Sequence, residues 1–330
     1  MNKQAKSDNN RWALYVGPAV AAALGLVLYK SAKLPPAACW TAAITTWCGL
    51  WWIFEPISIP ATSILPFALF PLLGVMDHKQ VATGYGHSIV LLFLGGFMLA
   101  KALEKSGAHR RLAILMIRAV GGKGGRRLVL GFMLAAALLS MWISNTATTL
   151  MLLPVAMAVL EQLNEGQRKS LAIPLMLSLA YAASIGGIGT PIGTPPNALF
   201  MGIYEQTTGT MISFAGWMKL ALPVVFIMFP ISWLWLTRKL GKAQPIKLPV
   251  LGPWRTEERR VMIVFVLTAA AWIFRKDPSG GWSGLINAPG VGDSTVALVA
   301  VMALFVWPNG HGNNLLDWKT AKKIPWGILL

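Results

Sequence analysis

Two basic pairs, Arg126–Arg127 and Arg168–Lys169, bracket a stretch that no ordinary membrane helix accommodates. Between them, two apolar arms of about 16 and 11 residues are joined by SNTATT, within the run ISNTATTLMLLP from Ile143 to Pro154; a crossing needs about 20 apolar residues, so each arm is short. Lys and Arg collect on the cytoplasmic side of membrane proteins, so the two pairs share one face. The stretch between them therefore enters and leaves by that face. This predicts a re-entrant helical hairpin over about residues 128–163, turning near mid-depth at Ser144, Asn145, Thr146, Thr148 and Thr149. Unpaired backbone groups in hydrocarbon cost several kcal/mol each, so such a turn must be packed in protein or line a watery cavity.

The membrane setting follows from composition and patterning. The 330 residues are 55% hydrophobic and 12% charged, against about 25% charged in soluble domains. Apolar runs recur at about 12–29, 38–54, 57–76, 88–104, 128–143, 148–160, 171–188, 197–204, 217–236, 260–274 and 294–307, the pattern of an all-α polytopic membrane protein. The first run is long, and Lys30 and Lys33 follow it in place of a small-residue cleavage site. It reads as a retained helix rather than a secretory signal.

Charge orients the spans. The connections at 101–127, 165–170, 237–260 and 309–323 are rich in Lys and Arg, including Lys101, Lys105, Lys123, Arg238, Lys242, Lys247 and Lys319, and are expected inside. Those at 77–86, 205–216 and 277–293 are poor in both and are expected outside. Lys3, Lys6 and Arg11 place the N-terminus in the cytoplasm, and the protein in the inner membrane as a multi-pass chain; Lys30 and Lys33 on an outer loop are the exception. This distribution accounts for the net charge of +17 without a nucleic-acid partner. Cys39 and Cys48, nine apart in one helix, read as small core residues.

A second interruption follows the first. In SIGGIGTPIGTPPNALF, Ser184 to Phe200, Gly186, Gly187, Gly189 and Gly193 with Pro191, Pro195 and Pro196 are expected to stop a regular helix. Pro195 and Pro196 suit the first turn of a new one. The segment reads as a broken helix over about 171–204. Half-helix ends at mid-depth carry opposite partial charges: bare carbonyls suit a hard cation such as sodium, and bare N–H groups suit a carboxylate. Neither SNTATT nor GTPIGTPPN contains Asp or Glu, which suits an anionic substrate.

Transporters with broken helices are commonly built as inverted repeats. DHKQVATGYGHSIVLLFLGG from Asp77 and DWKTAKKIPWGILL from Asp317 both begin Asp-x-Lys and run into an apolar stretch, the first outside and the second inside by charge. Three parts are expected. Residues 1–37 form an N-terminal cytoplasmic segment and first helix. Residues 38–240 form a first repeat of scaffold helices, hairpin and broken helix. Residues 241–330 begin a second, inverted repeat that is incomplete, its apolar end at Leu330 reading as a truncation.

SNT at Ser144–Thr146 and GTPPN at Gly193–Asn197 resemble the divalent anion/sodium symporter family, the INDY-like sodium–dicarboxylate transporters. The resemblance covers roughly residues 40–330. It implies a sodium-coupled elevator transporter, a homodimer with a scaffold and a moving transport domain, taking Na+ as coupling ion and needing no organic cofactor. It implies that Ser144 and Asn145 ligate sodium with backbone carbonyls near Gly193, joined by Ser140 one turn earlier. It implies that Asn145 and Thr146 bind a substrate carboxylate near Thr194, with Thr190, Pro195, Pro196 and Asn197 as further lining. The family carries SNT twice; this chain carries it once.

Other readings have less behind them. GVGD at Gly290–Asp293 matches an intramembrane protease motif, but Asp8, Asp77, Asp277, Asp293 and Asp317 offer no mid-span pair, so it reads as a loop before a helix cap and the protein as no enzyme. His78, His87, His109 and His311 are scattered near span ends. A proton-driven exporter of arsenite type, or a carrier of citrate or sulfate, would share the broken helices but use an intramembrane carboxylate, for which Glu55 is the only candidate near a span. A polar re-entrant loop can also serve a channel.

Overall fold

The computed structural model describes residues 11–31, 34–120, 124–241, 251–276 and 280–329. Lys3, Lys6, Asp8, Lys33, Lys123, Lys242, Lys247, Asp277 and the chain end at Leu330 lie outside the described residues. Regular structure among the described residues is helical, with one isolated bridge between Pro308 and Asn314. Five segments among them are long and apolar enough to cross a membrane: Ala13–Lys30, Pro36–Phe54, His78–Ser106, Glu165–Ile188 and Phe214–Thr237.

The chain divides into two compact units. The first takes residues 1–90 and 325–330. In it α1 (Ala13–Ser31) packs on α2 (Pro36–Phe54). The Trp51 indole N–H donates to the Ala13 carbonyl at 2.9 Å, and Gly17 leaves room for that ring. Cys39 and Cys48 are buried and free on α2. The apolar run 57–76 is divided, contrary to its reading as one apolar stretch. It forms α3 (Ile59–Thr62) and α4 (Leu65–Leu72). Pro60 and Pro66 each start a helix rather than continue one, as expected of residues lacking an N–H. Asp77 then caps α5 (His78–Tyr85), and the Tyr85 hydroxyl donates to the Ser63 carbonyl at 2.6 Å.

The second unit spans Leu91–Ile324. It holds most of α6 (Ser88–Ser106), then α7 (Ala108–Val120), α8 (Gly125–Ser140), α9 (Asn145–Leu160), α10 (Glu165–Ile188) and α11 (Pro195–Thr208). It continues through α12 (Phe214–Thr237), α13 (Thr256–Ile273), α14 (Gly281–Leu285), α15 (Asp293–Val306) and α16 (Trp318–Ala321); α17 (Trp326–Leu329) returns to the first unit. Its core is a cluster from α7 to α10 that includes Val129, Phe132, Met133, Ala136, Leu152, Ala156, Leu175 and Ala182. Small side chains let these helices approach closely. The closest approach is at Gly186 of α10, where any Cβ would overlap the Ala137 carbonyl of α8.

Two buried ion pairs fasten the rest. Arg111 Nε lies 2.8 Å from Glu258 Oε2, while its Nη atoms donate to the carbonyls of Gly252 and Pro253. Arg275 Nε lies 2.6 Å from Asp293 Oδ1, and both side chains are under a tenth exposed. GVGD is a loop running into a helix cap as expected, with Gly292 the cap and Asp293 the first helical residue. The Asp293 carboxylate takes Arg275 and the Phe214 N–H at 3.0 Å. The pairing escaped the sequence reading because its partner is an arginine 18 residues away.

Two substitutions test this packing. Gly186→Ala places a methyl against backbone that cannot rotate away, and a cost of about 1–3 kcal/mol is expected. Gly49→Ala, which meets nothing within 4 Å, should be neutral or stabilising. Equal thermal midpoints for the two purified variants would remove the α8–α10 contact from the account. Arg275→Met leaves the Asp293 carboxylate buried alone and should cost about 3–5 kcal/mol; an unchanged urea or thermal midpoint would contradict it.

Candidate functional site

The polar interruption is resolved into a turn and a helix start. α8 ends at Ser140, Met141–Ser144 turn, and α9 begins at Asn145. SNTATT was expected to form the turn itself; only Ser144 is in it. The reason is capping: Ser144 Oγ accepts the Ala147 N–H at 3.3 Å, and its carbonyl accepts the Thr148 N–H at 3.0 Å. A serine at this position satisfies an otherwise orphan donor and starts the helix there. The Thr149 hydroxyl turns back to the Asn145 carbonyl at 2.8 Å. The Ser140 hydroxyl donates to Asn145 Oδ1 at 2.5 Å, pinning the two ends of the turn together.

The second interruption is a linker, Gly189–Thr194, between α10 and α11. It starts later than the glycines suggested, since Gly186 and Gly187 remain helical. They serve close approach rather than helix breaking. Gly186 lies on Ala137, and a Cβ on Gly187 would overlap Asn145 Oδ1. A Cβ on Gly193 would overlap the Gly187 carbonyl and come 3.0 Å from the Ser140 carbonyl. The buried Thr190 hydroxyl donates to the Met141 carbonyl. Pro195 and Pro196 open α11 as expected, and Thr194 is its cap residue.

Turn and linker thus meet at one place. Ser140, Asn145, Gly187 and Gly193 are gathered there, with Thr190 fixed beside them. Thr146 is exposed on the first turn of α9, and Pro195 and Pro196 are exposed. No hydrogen bond among the described residues joins Thr146 or Thr194 to Asn145. The carbonyls closing α10 were expected bare. Instead Gly187 and Thr190 each accept from the Asn197 amide, and Ile188 accepts the Trp217 indole N–H at 2.9 Å. The Gly187 oxygen keeps a second acceptor direction, whereas the Thr190 oxygen also accepts the Gly193 N–H at 3.3 Å.

The chemistry of this place is neutral oxygen beside helix termini. The turn and linker hold no Asp, Glu, Lys or Arg. The N-termini of α9 and α11 each carry about half a positive charge and the C-termini of α8 and α10 about half a negative one. Such an arrangement can hold a hard cation on hydroxyl, amide and carbonyl oxygens, and a carboxylate at the N–H ends.

The sequence reading missed a polar cavity of about 270 Å³ next to the turn, lined by Lys101, Glu104, His109, Ile143, Ala147 and Thr148. Lys101 and Glu104 pair at 2.6 Å. They stand near the end of α6 as the charge pattern placed them, but they face α9. The i,i+3 spacing of opposite charges on an otherwise apolar helix was the available signal. Burial pushes the His109 imidazole below its ordinary value, against the bond from its Nδ1 to the Leu103 carbonyl at 2.8 Å.

A family model described as "Citrate transporter" (CitMHS) matches residues 50–330. The chain is 36% identical over 329 residues to the sodium-dependent dicarboxylate transporter SdcS of Staphylococcus saprophyticus, covering 93% of this chain and 63% of that protein. It is 37% identical to SdcS of Staphylococcus aureus strain MW2, covering 93% and 62% respectively. The chain therefore spans less than two thirds of the length of these curated relatives. The family is one of transporters rather than enzymes. The match over most of its length shows that this chain belongs to the citrate transporter family.

Proposed function

We propose that the protein is a sodium-coupled symporter that carries a small di- or tricarboxylate, of the succinate, malate or fumarate kind, across the cytoplasmic membrane by an elevator movement. The observation that carries this reading is the meeting of two broken-helix ends at Ser140, Asn145, Gly187 and Gly193, together with relatives named as sodium-dependent dicarboxylate transporters. In this reading Ser140, Ser144, Asn145 and the backbone at Gly193 hold sodium. Asn145, Thr146 and Thr194 face a substrate carboxylate, with Thr190, Pro195 and Pro196 alongside.

The finer architecture belongs to the same reading. α8 and α9, each of 16 residues, are about 24 Å long at 1.5 Å per residue. That is shorter than the roughly 30 Å hydrocarbon core, which supports a re-entrant hairpin. Asp77 and Asp317 each cap a helix in the two segments compared as inverted repeats, which supports that symmetry; in this reading the first repeat ends near residue 240. The protein acts as a homodimer with its N-terminus in the cytoplasm. A neutral site leaves the cargo charge to be offset by sodium. Each elementary charge crossing 100 mV is worth about 2.3 kcal/mol, so two sodium ions only balance a dianion, and a third is needed for the potential to drive accumulation.

A second reading has its own observation: the matching family model is described by citrate. Here the cargo is a tricarboxylate in the same site.

Sodium should stimulate uptake of labelled succinate into vesicles carrying the protein, and uptake driven by a proton gradient and indifferent to sodium would overturn symport with sodium. Citrate that competes with succinate at lower concentration than malate does would favour the second reading. Asn145→Ala should abolish uptake while membrane protein levels hold; undiminished sodium-dependent uptake would remove Asn145 from the site.

A further inference from the structure

The end of α10 and the linker touch the turn and the start of α9 through two tethers. Gly187 lies against the Asn145 side chain, and the Thr190 hydroxyl reaches the Met141 carbonyl. One side chain stands behind both. Asn197 Nδ2 donates to the Gly187 carbonyl at 2.8 Å and to the Thr190 carbonyl at 2.7 Å. An amide nitrogen carries two protons, so these two bonds use both; Ile188 O, at 3.4 Å, is a marginal third neighbour. The side chain is 6% exposed, so water does not replace these bonds if they are lost. Its placement is rigid: Asn197 is the third residue of α11, after Pro195 and Pro196, and its N–H is bonded to the Thr194 carbonyl at 3.1 Å.

The committed amide changes what Asn197 can do. Its nitrogen cannot also meet a substrate carboxylate. The Gly187 oxygen it holds is the one that faces Gly193. We infer that Asn197 is a positioning residue: by clamping the carbonyls of Gly187 and Thr190 it sets the distance between linker and turn, and so the affinity of the proposed cation site, without touching cation or substrate. This rests on the reading that Ser140, Asn145 and the Gly193 backbone hold sodium.

The test is the sodium dependence of succinate uptake by the protein and its variants. Asn197→Ala should raise the sodium concentration for half-maximal uptake about tenfold, the effect of losing buried hydrogen bonds. The maximal rate and the succinate KM at saturating sodium should stay near those of the unaltered protein. Asn197→Ser, which keeps one donor, should show a smaller rise. It also serves if the alanine variant fails to reach the membrane, read then as a reduced sodium-induced rise in the thermal midpoint of purified protein. The inference is overturned if Ser140→Ala weakens sodium dependence and the Asn197 variants do not. It is also overturned if Asn197→Ala lowers the maximal rate with sodium affinity unchanged. Uptake by the unaltered protein that ignores sodium would instead sink the underlying site.

Discussion

The close approach of α8 and α10 is the constraint on which the site depends. Two helices meet with backbone against backbone at Ala137 and Gly186, and one residue later Gly187 lies against the Asn145 side chain. Had either glycine a side chain, the linker would stand off from the turn by about the size of a methyl group. The oxygens of Ser140, Asn145 and Gly187 would no longer be neighbours. Small residues at a helix crossing usually stabilise it through packing alone. Here the same contact also decides whether two interrupted helices can share one pocket.

The polar turn needs partners because buried backbone groups left unpaired are costly. The structure supplies partners from within. Ser144, Thr149, Thr190, Asn197 and Trp217 each bond a backbone group of the turn, the linker or the helix ends beside them. Their side chains are uncharged, so the irregular backbone is satisfied without placing a fixed charge near a proposed ion. Two charged pairs of the second unit lie outside the turn and linker, Arg275–Asp293 on other helices and Lys101–Glu104 in the neighbouring cavity.

Much of this was legible in the sequence because hydropathy and backbone chemistry leave local marks. Apolar runs gave most helices within a few residues, and Ser, Asn and Thr between short apolar arms marked the turn. Pro195 and Pro196 gave the start of α11. What escaped was anything whose cause lies across space. SNTATT looked like a loop because polar residues interrupt an apolar run; its caps make most of it helix. Gly186 and Gly187 looked like helix breakers, since a single sequence does not distinguish glycine needed for flexibility from glycine needed for room. GVGD was legible as a loop before a cap, but the pairing of its Asp293 with Arg275 is visible only in the fold. Asn197 was legible as part of the site, but not as a clamp.

Trp142 lies in the turn, and the rings around it hold it in place. Its ring is stacked near-parallel with those of Phe214 and Trp272, at interplanar angles of 18° and 10°, and those two are stacked on each other at 8°. The Trp272 indole N–H is tied to the Asp293 carbonyl, and the Asp293 carboxylate holds the Phe214 N–H, so the two lower plates of the stack are fixed to one another. The Phe265 ring meets Trp142 edge to face at 4.9 Å and 78°, so the turn that carries Trp142 is braced by aromatic rings on more than one side.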